Sequence, residues 1–345
     1  MRIWHNNYNQ IITLENLFQA WEEFLKGKKS KADVEIFGRN LEDNIFTLYE
    51  ELEKKAYRHG SYQEFYVRDP KVRHIHKACV KDRVVHHLTS KVLEEIFDPT
   101  FYPHSYSCRK NKGTHKAVQT FVKMSRKASK NNTSKLLVLK CDIKKFFANV
   151  DHEILIKLLR RRISDKDFIN LLTEIITSFK SLNQNCGMPI GNLTSQLFAN
   201  IYMDPLDQFV KHNLGVKYYI RYADDFVVMS DSRKYLEEIL LQMKSFLDTE
   251  LKLTLHPNKI HIVDYYLGVD FLGYVIFPKY ILPRTKTKRR IFRKLEETSQ
   301  KIRDGILPPE ALEQALQSYL GHLSHCDSYK LSQEIKNHAL FFQTN

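Results

Sequence analysis

The stretch RYADDFVV at residues 221–228 decides the fold of this sequence. It follows directly on the run VKYYI (216–220) and overlaps the run FVVMS (226–230), both rich in β-branched and aromatic residues, which is typical of two strands joined by a tight turn. The turn places two adjacent carboxylates, Asp224 and Asp225, at the tip of the hairpin. Paired aspartates in a turn usually bond to their own backbone, so this string alone assigns no function.

A third carboxylate, Asp142, stands at the end of another predicted strand. Residues 134–147, SKLLVLKCDIKKFF, begin with an apolar strand pattern that ends near Asp142. A single carboxylate in this position is usually a strand terminator. Phosphoryl transfer by two metals, however, needs hard oxygen ligands on adjacent strands that hold the ions about 3.5–4 Å apart. Asp142, Asp224 and Asp225 together therefore predict a two-metal site.

The overall charge indicates an anionic partner. The 345 residues contain 54 Lys and Arg against 40 Asp and Glu, which gives a formal net charge of +14 and a pI near 9.3. Excess lysine can serve solubility alone, but a cationic surface also gains affinity for nucleic acid by releasing counterions. A hydrophobic content of 43% is enough for a sizeable core.

Other features disfavour several classes of protein. The five cysteines are scattered, odd in number and without a CxxC pair, which argues against a disulfide framework and a zinc site. The amino terminus, MRIWHNNYNQ, is polar and leads into no apolar signal region, and no apolar run approaches the length of a membrane span. We expect a cytoplasmic protein without a membrane partner.

Periodicity predicts an α+β domain followed by a helical one. Residues 11–58 indicate two amphipathic helices, and short strands follow between residues 62 and 80 around an Asp-Pro turn at 69–70. The chain from Lys286 onward indicates three helices. The second of the early helices presents an apolar face made of Leu41, Ile45, Leu48 and Leu52.

In their order along the chain, these segments resemble the motifs of reverse transcriptases. CDIKKFFANVDH is similar to motif A of that family, and RYADDFVV to motif C. Three further matches are GMPIGNLTSQLFANIYM (187–203) to motif B, LTLHPNKIHIV (253–263) to motif D and FLGY (271–274) to motif E. Upstream, DPKVRHI, KDRVV and SYSCRKNKGTHKA resemble fingers segments, so the similarity covers about residues 60–280.

The resemblance implies an α+β right-hand polymerase that copies RNA into DNA. It assigns residues 1–58 to an N-terminal helical extension, 59–282 to fingers and palm with an antiparallel sheet, and 283–345 to a helical thumb. The implied partners are an RNA template, a primer or complementary DNA strand, and deoxynucleoside triphosphates. The implied cofactors are two Mg²⁺ ions, for which Mn²⁺ can substitute.

The same resemblance implies roles for individual residues. Asp142, Asp224 and Asp225 would be catalytic and would hold the metals, with the Ile143 carbonyl as a further ligand. The nucleotide would contact Lys71, Arg73, Arg83, Phe147, Ile190, Gly191, Gln196 and Lys259. The nucleic acid would contact Phe271, Leu272, Gly273, Lys288, Arg289, Arg290 and Arg293.

Several of these roles have a plainer alternative. Of Phe146 and Phe147, one is expected to pack in the core and the other, Phe147, to crowd a ribose 2′-hydroxyl. Arg73 fits the fingers position that grips a triphosphate, but it could be a surface charge. Lys259 matches the motif D lysine, a candidate general acid for pyrophosphate, but it could be a solvated loop lysine.

Motif B departs from the pattern Gln-Gly and Ser-Pro that most reverse transcriptases carry. This chain has Ile190-Gly191 and Ser195-Gln196, and IGNLTSQ is similar to the segment in reverse transcriptases of diversity-generating retroelements. That family copies template adenines with errors and works with a small basic accessory protein, so both properties are implied here. Ile190 would lower the penalty for a mispair by withholding a polar contact.

Three alternatives remain open from the sequence. A retron or phage-defence reverse transcriptase would share the polymerase core, and so would an untemplated DNA polymerase. A catalytically inactive RNA-binding protein fits less well, because every carboxylate needed for catalysis is present.

Overall fold

The computed structural model describes residues 7–69, 71–181 and 185–344. In this part of the chain, no helix is both long enough and apolar enough to cross a membrane. The helices are α1 (Tyr8–Ile11), α2 (Leu14–Leu25), α3 (Ala32–Arg39), α4 (Leu41–Glu53), α5 (Val80–Phe97), α6 (Thr114–Ala128), α7 (Phe146–Asn149), α8 (His152–Arg160), α9 (Lys166–Thr177), α10 (Leu193–Gln208), α11 (Arg233–Leu251), α12 (Thr285–Arg303), α13 (Glu310–Leu323) and α14 (Tyr329–Thr344).

The strands form antiparallel hairpins and one larger sheet. They are β1 (Gln63–Val67), β2 (Arg73–Lys77), β3 (Leu137–Asp142), β4 (Tyr219–Tyr222), β5 (Asp225–Ser230), β6 (His261–Asp264), β7 (Val269–Phe271), β8 (Tyr274–Ile276) and β9 (Ile281–Pro283). β1 pairs with β2, and the order of the larger sheet is β4-β5-β3-β6. β7, β8 and β9 form a separate antiparallel sheet. The mixture of helices and antiparallel sheets confirms the α+β class.

The chain divides into two compact units, each built from three segments. Unit 1 consists of the described residues of Met1–Asn111, Cys141–Phe226 and Glu238–Ile260. Unit 2 consists of those of Lys112–Lys140, Val227–Glu237 and His261–Asn345. The cysteines are all free, as their spacing predicts.

The N-terminal helices of unit 1 differ in one respect from the sequence-based prediction. Instead of one second helix, the chain forms α3 and α4 with a break at Asn40, whose φ of −121° and ψ of 45° leave the helical region. Asparagine favours such breaks because its amide competes for nearby backbone groups. The predicted apolar face is confirmed, since Ile45, Leu48 and Leu52 are buried. Leu41 is half-buried.

The strands predicted between residues 62 and 80 are confirmed as the β1–β2 hairpin. Its register pairs Glu64 with His76 and Tyr66 with His74. Pro70, in the predicted Asp-Pro turn, lies outside the described residues, as does most of the amino-terminal stretch.

Helices α12, α13 and α14 of unit 2 pack around their own apolar core, which confirms the predicted helical tail. The buried members of this core are Ile291, Leu295, Leu312, Leu316, Leu323, Leu331, Ile335 and Ala339.

Candidate active site

The turn between β4 and β5 presents two carboxylates, as the sequence predicts. Ala223 has a φ of 54°, in the left-handed region, and β5 begins at Asp225. Asp224 is half-buried, whereas the Asp225 side chain opens to solvent.

Asp142 is the last residue of β3, and the neighbouring backbone fixes its position. Its carbonyl oxygen accepts a hydrogen bond from the His256 amide at 2.8 Å. The next residue, Ile143, is buried and forms a β-bridge with Leu255. The segment around Leu255 therefore holds the backbone at the end of β3, to which the Asp142 carboxylate is attached, through main-chain bonds.

The carboxylates perturb one another electrostatically. Partial burial, then the charge of Asp142, raises the pKa of Asp224, while Lys259 and Lys71 act in the opposite direction. Desolvation, then Asp224 and a hydrogen bond with Asp142, raises the pKa of Asp225 to about 7. The Asp225 residue as a whole nevertheless remains exposed to solvent.

This donor set fits hard divalent cations. The cluster offers carboxylate oxygens, the ligands that Mg²⁺ and Mn²⁺ prefer, with no sulfur or imidazole from these three residues. Burial, together with neighbouring carboxylates, raises the pKa values of Asp224 and Asp225, and Lys259 opposes the rise in both. A divalent ion would favour the ionised form of these carboxylates. Asp142, Asp224 and Asp225 would hold it.

A buried ion pair that the sequence did not reveal supports the turn between β4 and β5. Arg221 and Asp207 are both fully buried, and two guanidinium nitrogens reach the Asp207 carboxylate at 2.6–2.9 Å. Arg221 Nη1 also donates to the Ala223 carbonyl at 3.0 Å. The guanidinium thus joins α10 to the turn that carries Asp224. No local pattern distinguishes these two charges from the many on the surface.

Phe146 and Phe147 differ in burial, as the sequence predicts. Phe146 is buried at 2% exposure and packs near Tyr202, with ring centroids 6.3 Å apart. Phe147 is half-buried, and its carbonyl accepts a 2.7 Å hydrogen bond from the Met188 amide. The more open ring is therefore the one named as the sugar gate, and that role stays a prediction.

The residues of the IGNLTSQ segment lie beside β2. The Ile190 carbonyl accepts a hydrogen bond from the His76 amide at 3.0 Å, and the Ile190 side chain is half-buried. Gly191 has a φ of 112°, and a Cβ there would lie 2.8 Å from Ile75 Cγ2. Gln196, on the first turn of α10, is exposed. Ile190 and Gln196 are both accessible for contact with a ligand.

A comparison with known families settles what kind of chain this is. The family model described as "Reverse transcriptase (RNA-dependent DNA polymerase)" matches residues 67–276. The chain belongs to the reverse transcriptase family. The match includes Asp142, Asp224 and Asp225, so the carboxylate cluster lies inside the family domain.

Two bacterial proteins are similar to this reverse transcriptase. Protein YkfC of Escherichia coli (strain K12) is 28% identical over 248 residues, which cover 61% of this chain and 64% of YkfC. The group II intron-encoded protein LtrA of Lactococcus lactis subsp. cremoris is 23% identical, covering 68% of this chain and 50% of LtrA. The chain thus spans between half and two thirds of these relatives.

Among solved structures, the fold is similar to apo telomerase from Candida tropicalis truncated from its C-terminal domain. The TM-score is 0.51 at 12% identity, covering 68% of this chain and 59% of that one. At this identity the likeness concerns the fold alone.

The cations expected at the nucleotide of this reverse transcriptase fall into two groups. Lys71 lies close enough to Asp224 for its charge to oppose the rise in the pKa of that carboxyl. Arg73 is exposed on β2. Arg83 instead pairs with Asp33, and its guanidinium lies 4.9 Å from the centroid of the Phe24 ring. Arg83 is therefore engaged with the N-terminal helices and not with the carboxylate cluster.

The residues predicted to contact nucleic acid around the β7–β8 turn differ in their exposure. Phe271 is only 3% exposed and stacks on Phe121 with ring centroids 5.2 Å apart, so its side chain packs in the core. Its contact with nucleic acid stays a prediction. Leu272 and Gly273, both with positive φ, form the β7–β8 turn. A Cβ on Gly273 would meet no atom within 4 Å, so that part of the turn is open.

The basic helix α12 exposes part of its charge. Arg289 is exposed, and Arg290 is half-buried. Lys288 pairs with Glu334 at 3.1 Å, and Arg293 with Glu297 at 3.4 Å, both at exposed positions. Exposed pairs of this kind are weak, so they leave Lys288 and Arg293 able to exchange a carboxylate for a phosphate.

Proposed function

We propose that this chain is an RNA-directed DNA polymerase that works by two-metal phosphoryl transfer. The observation that carries the proposal is the carboxylate cluster of Asp142, Asp224 and Asp225 inside the reverse transcriptase domain, where burial and neighbouring carboxylates raise the pKa values of Asp224 and Asp225. When bound, two Mg²⁺ ions would activate a primer 3′-hydroxyl and stabilise the leaving pyrophosphate. The proposed partners are an RNA template, a primer and deoxynucleoside triphosphates.

The remaining roles are assigned to residues around this cluster. Lys71 and Arg73 hold the triphosphate, and Lys259 donates a proton to the departing pyrophosphate. Phe147 excludes a ribose 2′-hydroxyl by bulk. We assign β1–β2 to the fingers, the carboxylate-bearing sheet to the palm and α12–α14 to a thumb whose exposed cations follow the duplex backbone.

We further propose that the enzyme is the error-prone reverse transcriptase of a diversity-generating retroelement, acting in the cytoplasm with a small basic accessory protein. The relatives named above are YkfC and an intron-encoded protein, and neither name refers to a diversity-generating retroelement. The support for this class therefore comes from Ile190 and Gln196 in motif B.

Primer extension on an RNA template tests the activity. With Mg²⁺ and deoxynucleotides, the wild-type chain should extend the primer. Asp142→Asn and Asp224→Asn should each lose at least about a thousandfold in rate, because a lost metal ligand costs several kcal/mol of transition-state stabilisation. Both variants should keep RNA affinity, which depends on the basic surface.

A control separates the site from a general charge effect. Asp248 is exposed on α11, and Asp248→Asn should extend the primer at the wild-type rate. Substantial synthesis by either site variant, or a loss in the Asp248 variant, would contradict the assignment.

A further inference from the structure

The β1–β2 hairpin gathers three potential metal ligands on one face. Its register pairs Glu64 with His76, and His74 lies two residues before His76 on the same strand. Side chains two apart on a strand, and directly opposed across an antiparallel pair, point to the same side. Glu64, His74 and His76 therefore share a face.

The distances between their ligand atoms suit a small metal ion. His74 Nε2 lies 2.9 Å from Glu64 Oε2, and His76 Nε2 lies 3.8 Å from Glu64 Oε1. One ligand atom from each residue lies within 4.8 Å of the other two. In a tetrahedral zinc site with bonds of about 2.0–2.2 Å, neighbouring ligand atoms lie about 3.3–3.5 Å apart. The observed spacings bracket that value.

Aromatic neighbours hold the two imidazoles in place. The His74 ring stacks on Tyr66 at 4.5 Å and lies 4.3 Å from the His76 ring. The His76 ring contacts Phe179 edge-on at 4.6 Å. Ligands that are already oriented lose little entropy when they bind an ion.

The environment favours the neutral form of His76, which is the form that binds metal. Burial, then the nearby His74, lowers the pKa of His76, although Glu64 acts in the opposite direction. Among the described residues, His76 Nδ1 has no hydrogen-bond partner, so the ring makes its polar contact on the Nε2 side, toward Glu64. A metal binds the unprotonated imidazole, which burial of His76 favours.

We propose that Glu64, His74 and His76 bind a divalent transition-metal ion of the zinc class, with water completing the coordination. The His74 and Glu64 side chains are 37% and 57% exposed, so an ion can enter from solvent. The set of two histidines and one carboxylate is one that zinc uses in proteins. The spacing of the cysteines disfavours only a zinc site with cysteine ligands, and no cysteine takes part in this site.

The site would act on the segment that carries Ile190. The His76 amide donates to the Ile190 carbonyl at 3.0 Å, and the His76 carbonyl accepts from Asn192 Nδ2 at 2.7 Å. Both backbone groups of His76 thus point away from β1, which makes Glu64 and His76 a non-hydrogen-bonded pair with closely spaced side chains. A bound ion would join the two strands where that pair lacks main-chain bonds, and would hold the edge of β2 against Ile190 and Asn192.

Metal content measured on tag-free protein tests the proposal. Chelator-treated protein is dialysed against Zn²⁺ with Mg²⁺ in excess, so that carboxylate-only sites are filled by Mg²⁺. The wild type should retain one equivalent of zinc more than His74→Asn or Glu64→Gln, and Co²⁺ should give visible absorption bands that both variants lack. His212→Asn, an exposed histidine on another element, should behave as the wild type.

Hydrogen exchange gives a second, local measurement. If opening of the hairpin destroys the site, free zinc at 100 times its Kd should slow exchange of the His76 amide about a hundredfold. The His74→Asn variant should show no such slowing. Circular dichroism identifies variants that fail to fold. Equal zinc content in folded wild type and both site variants, or exchange unaffected by zinc, would overturn the proposal.

Discussion

Lys259 Nζ lies 2.8 Å from Asp142 Oδ2, so the motif D lysine contacts the metal-site carboxylate directly. The two residues are 117 positions apart in the chain, and the Lys259 side chain remains 45% exposed. This contact places Lys259 at the carboxylate cluster, although an exposed lysine can also form such a pair without a catalytic role. The ammonium occupies a lone pair that a metal would use, so ion binding and the position of Lys259 are linked.

Lys259→Met should have two separable effects. The Mg²⁺ concentration for half-maximal synthesis should fall, because an ammonium no longer competes for Asp142 Oδ2. If Lys259 also protonates pyrophosphate, kcat should fall about 10²–10⁴-fold, the usual range for general acid catalysis. Mg²⁺ titrations of primer extension measure both. Lys259→Arg, which keeps the charge but cannot release a proton, should restore the Mg²⁺ dependence without restoring kcat; full recovery by arginine would contradict the acid role.

The Arg221–Asp207 pair predicts a large loss of stability from a single substitution. Arg221→Met should destabilise unit 1 by about 3–5 kcal/mol, because it leaves the Asp207 charge buried without a counter-charge and with only the Tyr219 hydroxyl donating to it at 2.8 Å. Replacing both, as Arg221→Met with Asp207→Leu, should recover much of that loss. Denaturant unfolding of the three proteins measures the difference. Equal stability of the single and double variants would show that the loss in the single variant does not come from an unpaired charge on Asp207.

Local patterns in the sequence located the carboxylates because turn and strand chemistry is local. The alternation before Asp142 and the β-rich runs around Asp224 each place a side chain without knowledge of the rest of the fold. Arg221 and Asp207 could not be found this way, because burial of a charge depends on which elements pack around it. The helix break at Asn40 was missed for a related reason, since the apolar period continues through it.

Residues that come together only through the pairing register of two strands could not be predicted from the sequence either. Glu64, His74 and His76 converge only once Glu64 is set opposite His76, and a slip of one residue would send them to different faces. The burial of Phe271 was likewise not visible in the sequence. Its motif position suggests contact with nucleic acid, but its ring packs on Phe121 within unit 2.

Asp204 on α10 predicts a pH-dependent stability. Burial, with a further contribution from Asp207, raises the pKa of Asp204 to about 6 from an ordinary value of 3.8. Because the folded-state value is higher, the contribution of this group to stability is fully present below about pH 4 and is lost as the pH rises through 6.

Asp204→Asn should therefore stabilise the protein at pH 8 by about 1–3 kcal/mol and change little at pH 4. The asparagine Oδ1 can still accept the 3.0 Å hydrogen bond from Gln208 Nε2. Thermal melts at both pH values measure the effect. A variant that is equally or less stable at pH 8 would show that Asp204 is not desolvated as its position indicates.

Ile190 carries the prediction about fidelity. The side chain is half-buried, and the residue is held by its carbonyl, which accepts the His76 amide. A glutamine at this position can keep its amide in contact with water, so Ile190→Gln should cost little stability, although burial without a partner would cost about 1–3 kcal/mol. If Ile190 permits mispairing by withholding a polar contact, Ile190→Gln should lower misincorporation opposite template adenine while synthesis continues.

Two controls distinguish this effect from a packing defect. Ile190→Leu conserves volume and adds no polar group, so it should leave the error spectrum unchanged. Complementary DNA made by the three enzymes on one RNA template would be sequenced, alongside melting curves of each protein. A selective fall in errors opposite adenine for glutamine alone supports the contact, because a folding defect lowers the yield of product without changing which template base is misread. An unchanged spectrum with a lower melting temperature would assign Ile190 to packing and remove the main support for the retroelement class.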